Sequence, residues 1–225
     1  MVSSPKNPWR SLPRDEFVLS EDLPFALEFN RRARGPEKLV LDLVPEPFFG
    51  RRDAPIVLLL LNPGVGQTGK QKHHPPDFAA ALRADIAGDS PKNHFHLSNT
   101  IQGPGQRWWL SACRELIREA GLAAVSRNLL SIEFSPYHSQ KFAHGLVRFP
   151  SQSYSFWLVE EAIRRNAVIV CMRGLKQWFG AVPSLGSFEN LQLPRSTRSG
   201  SLSSRNLDSF EKLVETINLQ PEIGV

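Results

Sequence analysis

The chain has 225 residues, enough for one domain of ordinary to large size or two small ones. Its 41% hydrophobic content supplies a core, and 27 Lys and Arg against 22 Asp and Glu leave a formal net charge of +5, which permits an anionic partner such as nucleic acid without requiring one. No apolar run reaches membrane-spanning length, the start "MVSSPKNPWR" lacks the apolar core of a secretory signal, and two cysteines are too few for a disulfide framework.

Cys113 and Cys171 each sit in an apolar pattern, so buried free thiols in a reducing compartment, hence a cytoplasmic protein without a membrane partner, are expected. Residues 1–50 are irregular. Five prolines fall between Pro5 and Pro36, and a short helical pattern runs from Ser20, as N-cap, to Ala33. "EKLVLDLVPEPFFG" alternates like an edge strand before turning at Pro45, Pro47 and Gly50. "APIVLLLLNPG" is a continuous apolar run ending in a Pro-Gly turn, the mark of a strand buried on both faces. Asp77 can cap a helix through Ala87. A single helix is predicted from Gln106 to Ala120, with Trp109, Ala112, Cys113, Leu116, Ile117 and Ala120 on one stripe.

"SRNLLSIEF" reads as the next strand. Ser151 can cap the helical segment "SQSYSFWLVEEAIRRN". "AVIVCM" is a third buried strand, "GLKQWFG" a short helix, "ENLQL" a fourth and weaker strand, and "SSRNLDSFEKLVETINL" an amphipathic closing helix. Strands alternating with helices predict an α/β fold, a three-layer α/β/α sandwich on a four-stranded, mainly parallel sheet. The expected division is an N-terminal extension over residues 1–50, packing on a core domain over residues 51–225.

The stretch "LLLLNPGVGQTGKQKHHPP" contains Gly64-x-x-x-x-Gly69-Lys70, close to a phosphate-binding loop. Such a loop opens directly into a helix and needs Ser or Thr after the lysine to hold magnesium. Gln71 stands there instead, and Pro75 and Pro76 fall where the second helical turn belongs. The strand "AVIVCMRG" also ends without an acidic residue. Nucleoside triphosphate hydrolysis is therefore the weakest of three readings.

A buried strand running into Asn62-Pro63-Gly64 resembles the first motif of the uracil-DNA glycosylase superfamily, in particular its mismatch-specific uracil/thymine branch. Leu60 stands where that branch has a leading glycine. The order of later segments is similar: "NLLSIEF" where the family has a strand ending in a base-reading Asn, then a helix, a Val/Ile-rich strand with a glycine turn, and "LPRSTRSGSLSSRN" where it has a DNA-contacting loop. The resemblance spans residues 55–219 and implies that fold, with hydrolysis of an N-glycosidic bond in DNA. Two departures matter. Asn62 replaces the Asp of uracil-specific members, and Leu193 replaces the His that stabilises the leaving base.

The resemblance carries roles onto Asn62, Glu133 and the Arg195 loop, while His138 and Phe95 are singled out by strand-end position and by aromatic chemistry alone. Asn62 would hold the attacking water, with Pro63 and Gly64 shaping the base pocket; the bland alternative is ordinary turn chemistry. His138, in "SPYHSQ" at the carboxyl end of a strand, is a candidate acid or base contact or a structural histidine. Phe95 is a candidate stacking platform for a flipped base or a core residue. Arg195, Ser196 and Arg198 offer donors to DNA phosphates, as do Lys70 and Lys72 beside the turn. Glu133 stands at the base-reading position. An ionised carboxylate only accepts hydrogen bonds, so ordinary uracil is expected to be a poor substrate. No cofactor is expected, and no metal either, since His73 and His74 are adjacent rather than spaced as ligands. A monomer acting on DNA is the first expectation, and a non-catalytic nucleic-acid or nucleotide-binding protein on the same fold is the second.

Overall fold

Every residue of the run Ile56–Leu60 is buried, which requires cover on both faces of its sheet. The computed structural model describes residues 5–65, 74–88, 92–98, 103, 105–145 and 147–220, and the strand is central there. Five strands lie in the order β1-β3-β2-β4-β5. They are β1 (Phe48–Gly50), β2 (Ile56–Leu60), β3 (Leu129–Glu133), β4 (Val168–Cys171) and β5 (Leu191–Gln192). The last four are mutually parallel, and β1 is antiparallel to β3 with Phe48 opposite Ile132.

The sheet is thus five-stranded and mixed, where four mainly parallel strands were expected. The additional strand is the tail of the alternating segment. Pro45 and Pro47 confine pairing to three residues, because proline supplies no ladder donor. It lies within the first fifty residues, yet it is hydrogen-bonded into the sheet.

Side-chain alternation sends successive strand residues to opposite faces, and helices cover both. Val57, Leu59, Leu130, Ile132, Ile169 and Cys171 share one core cluster with Phe78, Leu82 and Ile86 of α2 (Pro76–Ala87), Leu158 and Ala162 of α6 (Gln152–Arg164) and Trp178 of α7 (Leu175–Ala181). Ile56, Leu58, Leu129, Val168 and Val170 face the second cluster. It contains Trp109 of α3 (Gln106–Ala112), Leu116 of α4 (Arg114–Ala120), Val125 of α5 (Leu122–Asn128) and Phe210, Leu213 and Ile217 of α8 (Phe210–Asn218). None of these helices is long and apolar enough to cross a membrane, among the described residues.

The N-terminal residues join the first cluster through Trp9, Val18, Leu19 and Ala26, the last on α1 (Leu23–Arg32). Asn7 bridges to α2, its side-chain amide donating to the Ile86 carbonyl at 2.8 Å. α1 starts after Asp22 rather than Ser20, with Pro24 in its first turn, where proline's fixed φ suits a helix. Asp22 is buried and bonds away from its own helix. It accepts from the Tyr137 hydroxyl at 2.7 Å, from the Ser151 amide at 3.1 Å and from the Ser151 hydroxyl. Ser151 therefore makes no side-chain cap for α6, contrary to expectation; its hydroxyl is already committed to Asp22.

The helix expected from Gln106 to Ala120 is two helices, divided at Cys113, whose ψ of 6° leaves the helical basin. The apolar stripe survives the break: Trp109, Ala112, Cys113 and Leu116 are all buried. β3 starts only at Leu129, because Ser126 to Asn128 finish α5 and the Asn128 amide donates back to the Ala124 carbonyl at 2.9 Å.

Candidate functional site

The parallel strands β2, β3 and β4 end side by side, and open α/β sheets place ligands beyond such carboxyl ends. A cavity of about 470 Å³ lies there. β2 contributes Leu60 and the following turn, Leu61 to Val65; β3 contributes Glu133; Arg173 stands just past β4. Trp108, Trp109 and Phe142 give aromatic wall, and Glu46, His74, His138 and Ser139 complete the polar lining.

The Asn62-Pro63-Gly64 turn is stapled from the side by the segment after β3. Gly64 makes a parallel bridge with Ser139, whose amide donates to the Pro63 carbonyl at 3.3 Å. The Asn62 amide nitrogen donates to the Pro63 carbonyl (3.0 Å), the Ser139 carbonyl (3.3 Å) and the Ser139 hydroxyl (3.0 Å). With the nitrogen so engaged, the group Asn62 has left to offer a ligand is its carbonyl oxygen, an acceptor.

Glu133 is buried, and its Oε2 has no hydrogen-bond partner. Burial, with the nearby Glu46 charge adding to it, pushes its carboxyl well above the ordinary range, against the pull of Arg173. That direction favours the neutral form over the ionised acceptor expected from the sequence. A neutral carboxyl both donates and accepts, as a primary amide does.

Glu46, another residue of the cavity lining, stands among imidazoles. His96 Nε2 lies 3.4 Å from its Oε2, and His138 Nε2 lies 3.9 Å from its Oε1. Burial alone would raise the Glu46 carboxyl, but His96, His138 and His74 together bring it below its usual value. Burial depresses His74 to about 4. His138 is held from two directions: Val40 bridges its backbone, and its Nε2 bonds the Val44 carbonyl at 3.0 Å.

Asn62, Pro63, Gly64, Glu133 and His138, which the sequence singles out, thus line one cavity. Phe95 does not. It is a core residue stacked on Phe49 with ring centroids 5.7 Å apart, because its short 3-10 turn faces α2 and β1 rather than the strand ends. Arg195 is exposed but engaged, its guanidinium paired with Asp208 and donating to the Arg205 carbonyl at 3.1 Å. The Ser196 amide donates to the Asn206 side chain at 3.0 Å, and Arg198 is exposed. Their loop approaches Trp108 of the cavity wall at Gly200, where a Cβ would lie 3.1 Å from the indole, but none of its residues lines the cavity. Lys70 and Lys72 lie outside the described residues. Sequence reasoning passed over Glu46, Phe142 and Arg173, and set His74 aside with His73 as an adjacent pair not spaced as ligands. Only Arg173 carried a readable signal, its place just beyond a buried parallel strand.

No protein-family model, curated protein or solved structure matches the chain.

Proposed function

We propose that the protein is a DNA glycosylase-like hydrolase that takes a flipped base into the cavity and hydrolyses its N-glycosidic bond. The observation carrying this reading is the presence, in one cavity, of the Asn62 amide oxygen and the buried Glu133 carboxyl, whose Oε2 has no hydrogen-bond partner. Support also comes from the Asn-Pro-Gly turn at the end of β2 within a run of four parallel strands, the placement that the sequence resemblance implies.

A base extruded from the stack loses stacking and pairing, at a cost of a few kcal/mol. Trp108 and Phe142 offer aromatic surface that offsets part of this. The Glu133 carbonyl oxygen accepts from an imide N–H while its O–H donates to the adjacent carbonyl, the edge presented by uracil and thymine. Cytosine lacks the N–H at that position. The Asn62 oxygen holds a water by accepting its hydrogen bond, aligned for attack on the sugar carbon as positive charge grows there. The segment containing Arg198, beside Trp108, is suited to the flanking phosphates.

The test is a panel of duplexes carrying uracil, a thymine mismatch, hypoxanthine, xanthine and alkylated bases, followed by alkaline strand scission. Single-turnover excision of uracil or mismatched thymine is expected from the wild type. Asn62→Ala should lose it while retaining DNA affinity within about threefold, because water placement belongs to the chemical step. Full activity in Asn62→Ala would remove that residue from the mechanism. A second reading, binding without hydrolysis, is favoured by Leu193. It is half exposed where the family has its leaving-group histidine, and it does not line the cavity. Tight binding of base-modified DNA with no scission by the wild type would select it.

A further inference from the structure

Glu46, His74 and His138 come from three separated segments: the approach to β1, the residues preceding α2 and the stretch after β3. One carboxylate oxygen of Glu46 and one ring nitrogen from each histidine lie within 4.8 Å of one another. The two imidazoles meet edge to face, with centroids 5.6 Å apart.

Unpartnered nitrogen accompanies this convergence. His138 is 3% exposed; its Nε2 bonds the Val44 carbonyl, and its buried Nδ1 has no partner. Since a carbonyl accepts only from N–H, the Val44 bond fixes the proton on Nε2 and leaves a lone pair on Nδ1. His74 Nδ1 is likewise buried without a partner. A buried polar atom left unpaired is costly, and metal coordination is one way to satisfy it. A backbone carbonyl gripping the far nitrogen of the ring is also the usual way a ligating histidine is oriented. Glu46 lies beside the pair: His138 Nε2 stands 3.9 Å from its Oε1, and His96 Nε2 stands 3.4 Å from its Oε2 without a hydrogen bond to it.

We propose that Glu46, His74 and His138 bind a divalent first-row transition-metal ion, zinc being the reference case, in the wall of the cavity. Two imidazoles and one carboxylate are a borderline-soft donor set, suited to zinc or iron rather than magnesium or calcium. Three protein ligands leave at least one coordination position open, and all three residues line the same cavity as Asn62 and Glu133. A tetrahedral zinc ion with these bond lengths holds its ligands about 3.4 Å apart. The cluster therefore contracts by up to about 1.4 Å on binding. The assignment does not depend on base excision.

The experiment uses the full chain, stripped with chelator and titrated with Zn²⁺ by calorimetry and with Co²⁺ by visible ligand-field absorption. One equivalent is expected. Glu46→Gln and His74→Ala should each weaken binding at least tenfold, and His144→Gln, a buried histidine outside the cluster, should leave it unchanged. Thermal melting gives a second readout: saturating Zn²⁺ should raise the Tm of the wild type and not that of His74→Ala. His74 is only partly buried, so its removal is the substitution least able to disturb folding. Absence of stoichiometric binding to the stripped wild type, or wild-type affinity in either Glu46→Gln or His74→Ala, would overturn the assignment.

Discussion

Replacing Gly50 with alanine tests how firmly the antiparallel edge strand is fixed. Gly50 closes β1 at a φ of 103°, and a Cβ built there would stand 2.0 Å from the Leu129 carbonyl oxygen. That is about 1 Å inside the shortest contact real Cβ atoms make, and the obstacle is backbone. Relief requires β1 to move away from β3. The positive φ alone costs roughly 1–2 kcal/mol for a side-chain-bearing residue. Loosening two hydrogen bonds of the ladder adds about 1 kcal/mol each. A loss of about 3–4 kcal/mol lowers Tm by roughly 6–16 °C in a chain of this size. Gly121→Ala is the matched comparison, because Gly121 has a φ of 83° with nothing within 4 Å of its Cβ position. Strain without collision should cost only about 1–2 kcal/mol there. Calorimetric melting and urea titration of both proteins decide the matter. Glu46, four residues before Gly50, should also be displaced in Gly50→Ala alone, weakening Zn²⁺ binding in that protein and not in Gly121→Ala. Equal losses of stability in the two variants would refute the steric reasoning.

Asp85 gives a pH signature. Burial raises its carboxyl from 3.8 to about 6, so the neutral form stabilises the fold fully below pH 4, and that contribution is lost as pH rises towards 6. Urea unfolding across pH 4–7 should show the wild type losing about 2–3 kcal/mol that Asp85→Asn does not lose. Arg198→Ala should lower the slope of log affinity for duplex DNA against log salt by ~0.9, one phosphate contact, in titrations at several salt concentrations. Arg195→Ala should change that slope less, because Asp208 already holds its guanidinium. Trp108→Ala, removing a half-exposed aromatic from the cavity wall, should weaken binding of base-modified DNA by about 1–3 kcal/mol, read by fluorescence anisotropy, with little change in Tm.

The central strands are legible in the sequence because cover on both faces forces a continuous apolar run, as in "IVLLL" and "VIVC". Edge elements are harder to read. β5 keeps two residues of the "ENLQL" segment, and β1 only three of its alternating run. The division at Cys113 has no proline or glycine to announce it, and the buried stripe continues straight across. In the site, the turn at Asn62 was visible because its chemistry is local. The ionisation of Glu133 was not, since it follows from burial and from Glu46, a residue far away in sequence. Glu46, His74 and His138 lie tens of residues apart, so no spacing rule unites them. Strand order, the Val40 amide donating to the His138 carbonyl and the Val44 carbonyl accepting from the His138 ring bring His138 to the cluster. Arg195 read as a free cation because its partner Asp208 belongs to the turn preceding α8.

The antiparallel edge has a consequence for how the chain is made. Phe48 pairs with Ile132, 84 positions later, so β1 leaves the ribosome long before the strand that receives it. At roughly 5–20 residues per second the wait is about 4–17 s. Throughout it Phe48 and Phe49, buried in the finished protein, are exposed beside an unpaired backbone edge. Such a segment invites pairing with a neighbouring nascent chain, and the prolines on its approach, Pro45 and Pro47, shorten the stretch able to do so. The same two prolines that limit β1 to three residues thereby act as gatekeepers during synthesis, protecting an edge strand that must wait.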